Sequence, residues 1–189
     1  REAVSGKAGF VAKDTAIGRC QGKRIMKKCV FAGTFDPPTL GHRAVVERAK
    51  KVFDEVIVAI LINPNKKPLF RVEQRKAMLE KVFARYPNVR VLSYDGLTVD
   101  LLRREGVRFY VRGIRNGTDY DYEAQLNYIN VDMLQDMITL FFPTRQEFLH
   151  ISSGLVKDAL RFNKNVDKYV PEEIRGDLRE YLKEADTNV

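Results

Sequence analysis

The chain has 189 residues, 44% of them hydrophobic and 31% charged, and a formal net charge of +8. A chain of that length buries roughly 70% of its unfolded surface, so one domain with a substantial core is expected and disorder as the main state is excluded. The charge points to an anionic partner (nucleic acid, an anionic membrane or a polyanionic small molecule), while the longest apolar run, Val56 to Ile62, is far short of the about 20 residues that span a bilayer.

Residues 1–25 mix Gly, Ala and Lys without periodicity and have no apolar core of a signal peptide. They read as an appended leader, with Met26 as the natural start of a domain over 26–189. Six basic and two acidic side chains in this leader account for half of the net charge, which weakens a nucleic-acid reading. Two cysteines make no disulfide framework, and free thiols fit a reducing cytosol.

Lys28 to Gly33 predicts a short buried strand, and Thr39 to Phe53 a helix with Val45, Val46, Ala49, Val52 and Phe53 at helical spacing. Glu55 to Ile62 is a continuous β-branched run, the pattern of a strand covered on both faces. After a turn at Asn63-Pro64-Asn65 come a helix over Arg71 to Tyr86, a strand over Val89 to Tyr94 and a helix over Val99 to Glu105. Gly106 is placed to end that helix. A strand over Arg108 to Val111, a long helix over Asp119 to Gln135 and a strand over Met137 to Phe142 follow. Helices over Ser152 to Phe162 and Glu172 to Glu184 close the chain.

Strands alternating with helices predict an α/β fold, a Rossmann-like doubly wound sheet of five parallel strands in a single domain. An eight-stranded barrel needs more chain, about 250 residues. Ligands of open sheets bind beyond the carboxyl ends of the strands, so chemistry is sought there.

Just past the first strand lies Gly33-Thr34-Phe35-Asp36-Pro37-Pro38-Thr39-Leu40-Gly41-His42. Glycine lets a ligand approach the backbone, and a helix opening at Thr39 offers unpaired N–H groups to an anion, with His42 in its first turn. The plainer alternative makes Thr39 an N-cap and His42 a core or solvated histidine. Past the fifth strand, Ile151-Ser152-Ser153-Gly154-Leu155-Val156-Lys157 opens a second helix with two hydroxyls, which for a single serine means only a cap. P-loop, G-x-G-x-x-G, zinc-ligand and G-x-S-x-G patterns are absent from the sequence.

The first string resembles the T/H-x-G-H phosphate-binding motif of the nucleotidyltransferase superfamily, and the second its I-S-S-x-x-V-K motif. Arg112-Gly113-Ile114-Arg115-Asn116-Gly117-Thr118-Asp119-Tyr120-Asp121-Tyr122-Glu123 is similar to the R-G-[LI]-R-x-x-x-D-[FY]-x-Y-E segment of the bacterial phosphopantetheine adenylyltransferase family, as is Asn63 to Phe70 to its loop after the second strand. The resemblance spans about 26–185. It departs at Gly154, where serine is frequent, and in the leader, which has no counterpart.

The resemblance implies an enzyme that transfers AMP from ATP to 4′-phosphopantetheine, giving dephospho-coenzyme A and pyrophosphate. It implies His42, Lys66 and Arg112 as catalytic residues. It further implies ATP contacts from Gly33, Thr34, His42, Gly113, Ile114, Arg115, Glu123 and the stretch Phe148, Leu149, His150, Ile151, Ser152, Ser153 and Gly154. The second substrate falls to Thr34, Lys66, Thr98 and Arg112. Also implied are Mg2+ as cofactor, held mainly by phosphate oxygens and water, a homohexamer and a cytoplasmic location. His42, Lys66, Arg112 and Arg115 are read as cations at strand ends; as plain surface groups, the arginines would pair with Asp119 or Asp121. Lys67, Arg71 and Arg75 are read as solvated.

Rival readings are another adenylyltransferase or cytidylyltransferase of the superfamily, a basic nucleic-acid-binding module and a catalytically dead interaction protein. Tyr120, Tyr122 and Tyr128 near Arg112 and Arg115 favour the nucleic-acid module, but other basic residues are dispersed and matched by acids. No nucleic acid and no membrane are therefore expected as partners.

Overall fold

In the computed structural model, which describes residues 26–62 and 67–187, the apolar runs become the sheet. The strands are β1 (Lys28–Gly33), β2 (Glu55–Ile62), β3 (Val89–Asp95), β4 (Phe109–Ile114) and β5 (Ile138–Pro143). The helices are α1 (Leu40–Ala49), α2 (Val72–Phe83), α3 (Thr98–Glu105), α4 (Gly117–Met133), α5 (Ser153–Arg161) and α6 (Arg175–Thr187). The strands form one parallel sheet in the order β3-β2-β1-β4-β5. The leader, the Asn63-Pro64-Asn65 turn and Lys66 lie outside the described residues.

Alternation along the central strands divides the core into two layers. Phe31 of β1 and Val58 and Ile60 of β2 face Val46 of α1, Leu79 of α2, Leu160 of α5 and Leu178 of α6. Val30 and Ala32 of β1, with Ile57 and Ala59 of β2, face Leu101 and Leu102 of α3. Five consecutive residues of β2, Val56 to Ile60, are fully buried, as a strand covered on both faces requires. Cys29 sits in this core, where burial and then Glu55 push its thiol up to about 12.

Some boundaries shift from the sequence expectation. The first helix stops at Ala49, because Val52 and Phe53 both donate to the Ala49 carbonyl in a tightened turn that buries Phe53 and exposes Val52. The fourth strand does not stop at Val111. It continues to Ile114, because Arg112, Gly113 and Ile114 pair with Phe141, Phe142 and Pro143 of β5. The last helix is preceded by a 3-10 turn at Glu172–Ile174. Gly106 ends α3 at φ +63, the left-handed cap conformation.

The order reverses at β1. The chain runs outward through β2 and β3, then returns to begin again at β4 on the other side. The carboxyl ends of β1 and β4 therefore flank the topological switch point, where the connections leave toward opposite faces and a crevice opens.

Candidate active site

Two cavities meet at that crevice. One of about 360 Å³ is lined by Gly33 at the end of β1 and Thr34 beyond it, His42 and Val45 of α1, Arg112 and Gly113 of β4, Arg115 before α4, and Asp119 and Glu123 within it. Thr144 and the run Ile151, Ser152, Ser153 and Gly154 also line it. The other, of about 240 Å³, shares Gly33, Thr34, Arg112 and Glu123 with the first. It adds Thr98, Tyr110, Leu126, Asn127, Asn130 and Thr139.

His42 is built by a capping box. Thr39 is the N-cap of α1; its hydroxyl accepts from His42 N–H at 3.4 Å, and its own N–H donates to His42 Nδ1 at 3.0 Å. With Nδ1 an acceptor, a neutral imidazole carries its proton on Nε2. The Phe35 ring packs edge-on against the imidazole, with centroids 4.9 Å apart. Burial, then Arg112 and Arg115, push the His42 pKa down to about 4. This corrects the expectation of a cation: near neutral pH His42 is an uncharged donor.

Arg112 and Arg115 are not free cations either. Arg112 forms a forked pair with Glu123, its Nε donating to Oε2 at 2.7 Å, while Nη1 reaches the Ala32 carbonyl at 2.5 Å. Burial works against the Arg112 charge, but Tyr110 and Glu123 outweigh it and hold the guanidinium above its ordinary value. Arg115 Nε donates to Asp119 at 2.7 Å, as the surface-pair alternative has it. Those contacts from Arg115 hold the Asp119 carboxyl below its usual range. An incoming polyanion must win both arginines from their carboxylates.

At the start of α5 the Ser152 hydroxyl accepts from Leu155 N–H at 3.1 Å as an N-cap, and the Ser153 hydroxyl donates to the Pro37 carbonyl at 2.8 Å. Both hydroxyls thus serve the protein, and with the Leu155 N–H capped the helix offers the N–H groups of Ser153 and Gly154 to the cavity. A side chain at Gly154 would meet only Ser152 Oγ at 3.7 Å, so the departure to glycine there is not forced by space.

Gly33, Thr34, His42, Arg112, Gly113, Arg115, Glu123 and the Ile151–Gly154 run are therefore brought together. Thr98 lies in the adjoining cavity. Ile114, Phe148, Leu149 and His150 line neither; Leu149 is exposed, and His150 packs its ring against Tyr169. Lys66 is outside the described residues. Lys67 and Arg71 are exposed as expected, but Arg75 is not solvated: only 2% of it is exposed, and its Nη1 donates to the Thr34 carbonyl at 2.7 Å. Asp36, which the sequence reading passed over, is equally buried. The signal for it was slight, an acid between an aromatic and two prolines.

A cytidylyltransferase-like family model matches residues 30–159. Phosphopantetheine adenylyltransferase of Lachnoclostridium phytofermentans is 41% identical over 149 residues, covering 79% of this chain and 91% of that one. That of Symbiobacterium thermophilum is 43% identical over 155 residues, covering 82% and 96%. Among solved structures, a bifunctional NMN adenylyltransferase/ADP ribose pyrophosphatase from Francisella tularensis superposes with a TM-score of 0.66 at 16% identity, over 84% of this chain and 50% of that one. At that identity the likeness concerns the fold alone.

Proposed function

The chain belongs to the phosphopantetheine adenylyltransferase family, and from that premise we propose that its two joined cavities transfer AMP from ATP to 4′-phosphopantetheine, in coenzyme A biosynthesis. The observation that carries this reading is the shared wall. Gly33, Thr34, Arg112 and Glu123 border both cavities, so ligands in the two would meet there.

A 4′-phosphate oxygen attacks the α-phosphorus of ATP. One P–O bond forms, the bond to the β-phosphate oxygen breaks, and pyrophosphate leaves with its electron pair. The attacking oxygen is already an anion, so no general base is needed. Catalysis lies in bringing two polyanions together and stabilising the charge that shifts onto the α-phosphate and the leaving group. His42 donates its Nε2 proton as a hydrogen bond to an α-phosphate oxygen. It keeps that proton throughout, since the attacking oxygen needs no base. The start of α5 receives the triphosphate, assisted by Arg115, while Arg112, with Lys66, takes the phosphopantetheine phosphate. Thr34 touches both substrates, and Thr98 lines the pantetheine side.

Mg2+ is proposed as cofactor, neutralising triphosphate charge when bound. Among the described residues no group of three or more His, Cys, Asp or Glu side chains is placed to hold a metal, and the cavity carboxylates Asp119 and Glu123 are paired with arginines. Phosphate oxygens and water would therefore be its main ligands, as suits this hard cation.

A cytoplasmic homohexamer is part of the proposal. No described helix is long and apolar enough to cross a membrane. Helix α4 buries no residue in the monomer and presents Leu126, Ile129 and Met133 to solvent, a face suited to a subunit contact. The test of the function is product identity. With ATP and 4′-phosphopantetheine, mass spectrometry is expected to find dephospho-coenzyme A, with one pyrophosphate released per product. No such product, or adenylylation of nicotinate mononucleotide in preference, would contradict the reading.

A further inference from the structure

Behind the first cavity lies a buried polar cluster that the transfer chemistry does not touch. Asp36 Oδ1 accepts from Phe70 N–H at 3.0 Å. Its Oδ2 accepts from Leu69 N–H at 2.9 Å and pairs with Lys157 Nζ of α5 at 3.2 Å. Two residues earlier, the Thr34 carbonyl is held by Arg75 of α2, and one residue later the Pro37 carbonyl is held by Ser153. The loop from β1 to α1 is thus fixed to the segment entering α2, to α2 itself and to the start of α5. Within it Phe35 is kept at φ +49, a left-handed conformation that a bulky residue holds only when its surroundings impose it.

Stability alone explains this cluster poorly. The Asp36 side chain is only 2% exposed while that of Lys157 is 25% exposed, so the desolvation cost falls mainly on the carboxylate, and apolar groups of equal volume are often at least as stabilising as a charge buried in this way. What the charges add is direction, because the Asp36 carboxylate is held by three fixed donors, with the Leu69 N–H lying 3.2 Å from Oδ1 as well as 2.9 Å from Oδ2. We propose that Asp36 is a positioning residue of this site, clamping the loop that carries Thr34 and Phe35 against the helix start that carries Ser152 and Ser153, with Lys157 and Arg75 as its supports. The proposal rests on the adenylyl-transfer reading, because its main readout is turnover in that reaction.

Asp36→Asn is the test. The amide keeps the shape, but in one orientation its nitrogen would confront the Leu69 N–H and the Lys157 ammonium with another donor, and in the other the Phe70 N–H. Turnover is expected to fall about 10²-fold, the scale of a misplacement near 1 Å, while ATP affinity by calorimetry changes little. The double variant Asp36→Asn/Lys157→Met removes the ammonium left unpaired. It should recover the melting midpoint but not the turnover, whereas a merely structural role would restore both together. Wild-type turnover in Asp36→Asn, or its recovery along with the midpoint in the double variant, overturns the proposal. Should Asp36→Asn not fold, the folded double variant decides: a turnover down about 10²-fold at unchanged ATP affinity supports the proposal, and wild-type turnover overturns it. The wild-type chain is assayed first. An inactive wild type refutes the adenylyl-transfer reading and this proposal with it, a result distinct from an active wild type with unaffected variants.

Discussion

His42 shows how neighbours set a residue's chemistry. Its Nδ1 is committed to the Thr39 N–H, its ring is packed against Phe35, and burial and two nearby arginines disfavour its charged form. The ordinary histidine value of 6.5 falls to about 4. The folded state therefore refuses a proton that the unfolded chain accepts between those values. This histidine makes no pH-dependent demand above 6.5, and stability is lost through it as pH falls from 6.5 toward 4. A heteronuclear NMR titration should find the His42 midpoint near 4, with Nε2 as the protonated nitrogen through the neutral range. A midpoint near 6.5 would mean that the imidazole is solvated and not buried beside the two arginines.

Elements were legible where pattern and burial agree. The run Glu55 to Ile62 is β2 residue for residue, since both faces are apolar and nothing in it competes with the strand. The end of β4 was not legible. Arg112-Gly113 reads as a loop, and only the ladder to β5 makes it strand. In the site, the strand-end residues were found because motif spacing is local. Asp36 and Arg75 were missed because their partners are distant, Leu69 and Phe70 lying 33 and 34 positions on and Thr34 lying 41 positions back. No local window holds such a pair. Gly113 carries a test at this scale. A Cβ there would stand 2.7 Å from Val45 Cγ2, so β4 approaches α1 through the missing side chain. Gly113→Ala should cost about 1–3 kcal/mol by overpacking, read from the denaturation midpoint, and Val45→Ala in the same chain should return part of it. A fully stable Gly113→Ala would show that the two elements are not in close contact.

At the scale of the molecule, many of the basic side chains among the described residues are engaged in ion pairs. Arg90 meets Glu55 and Glu105, Arg43 meets Glu47 and Glu173, and Lys81 meets Asp177. What gives the molecule a direction toward anions is its topology. The reversal at β1 brings the starts of α1 and α5 and the two arginines of β4 and its following turn to one crevice, while α4 leaves Leu126, Ile129 and Met133 exposed for the proposed hexamer. On the proposed mechanism this crevice works by oriented donors, with His42 aimed at the α-phosphate. The most direct measurement is the single-turnover rate of His42→Ala with ATP and 4′-phosphopantetheine, alongside its ATP affinity. The rate should fall by about 10²–10³ while ATP affinity changes much less, because the lost contact belongs to the transition state. A variant that turns over at the wild-type rate would contradict the account.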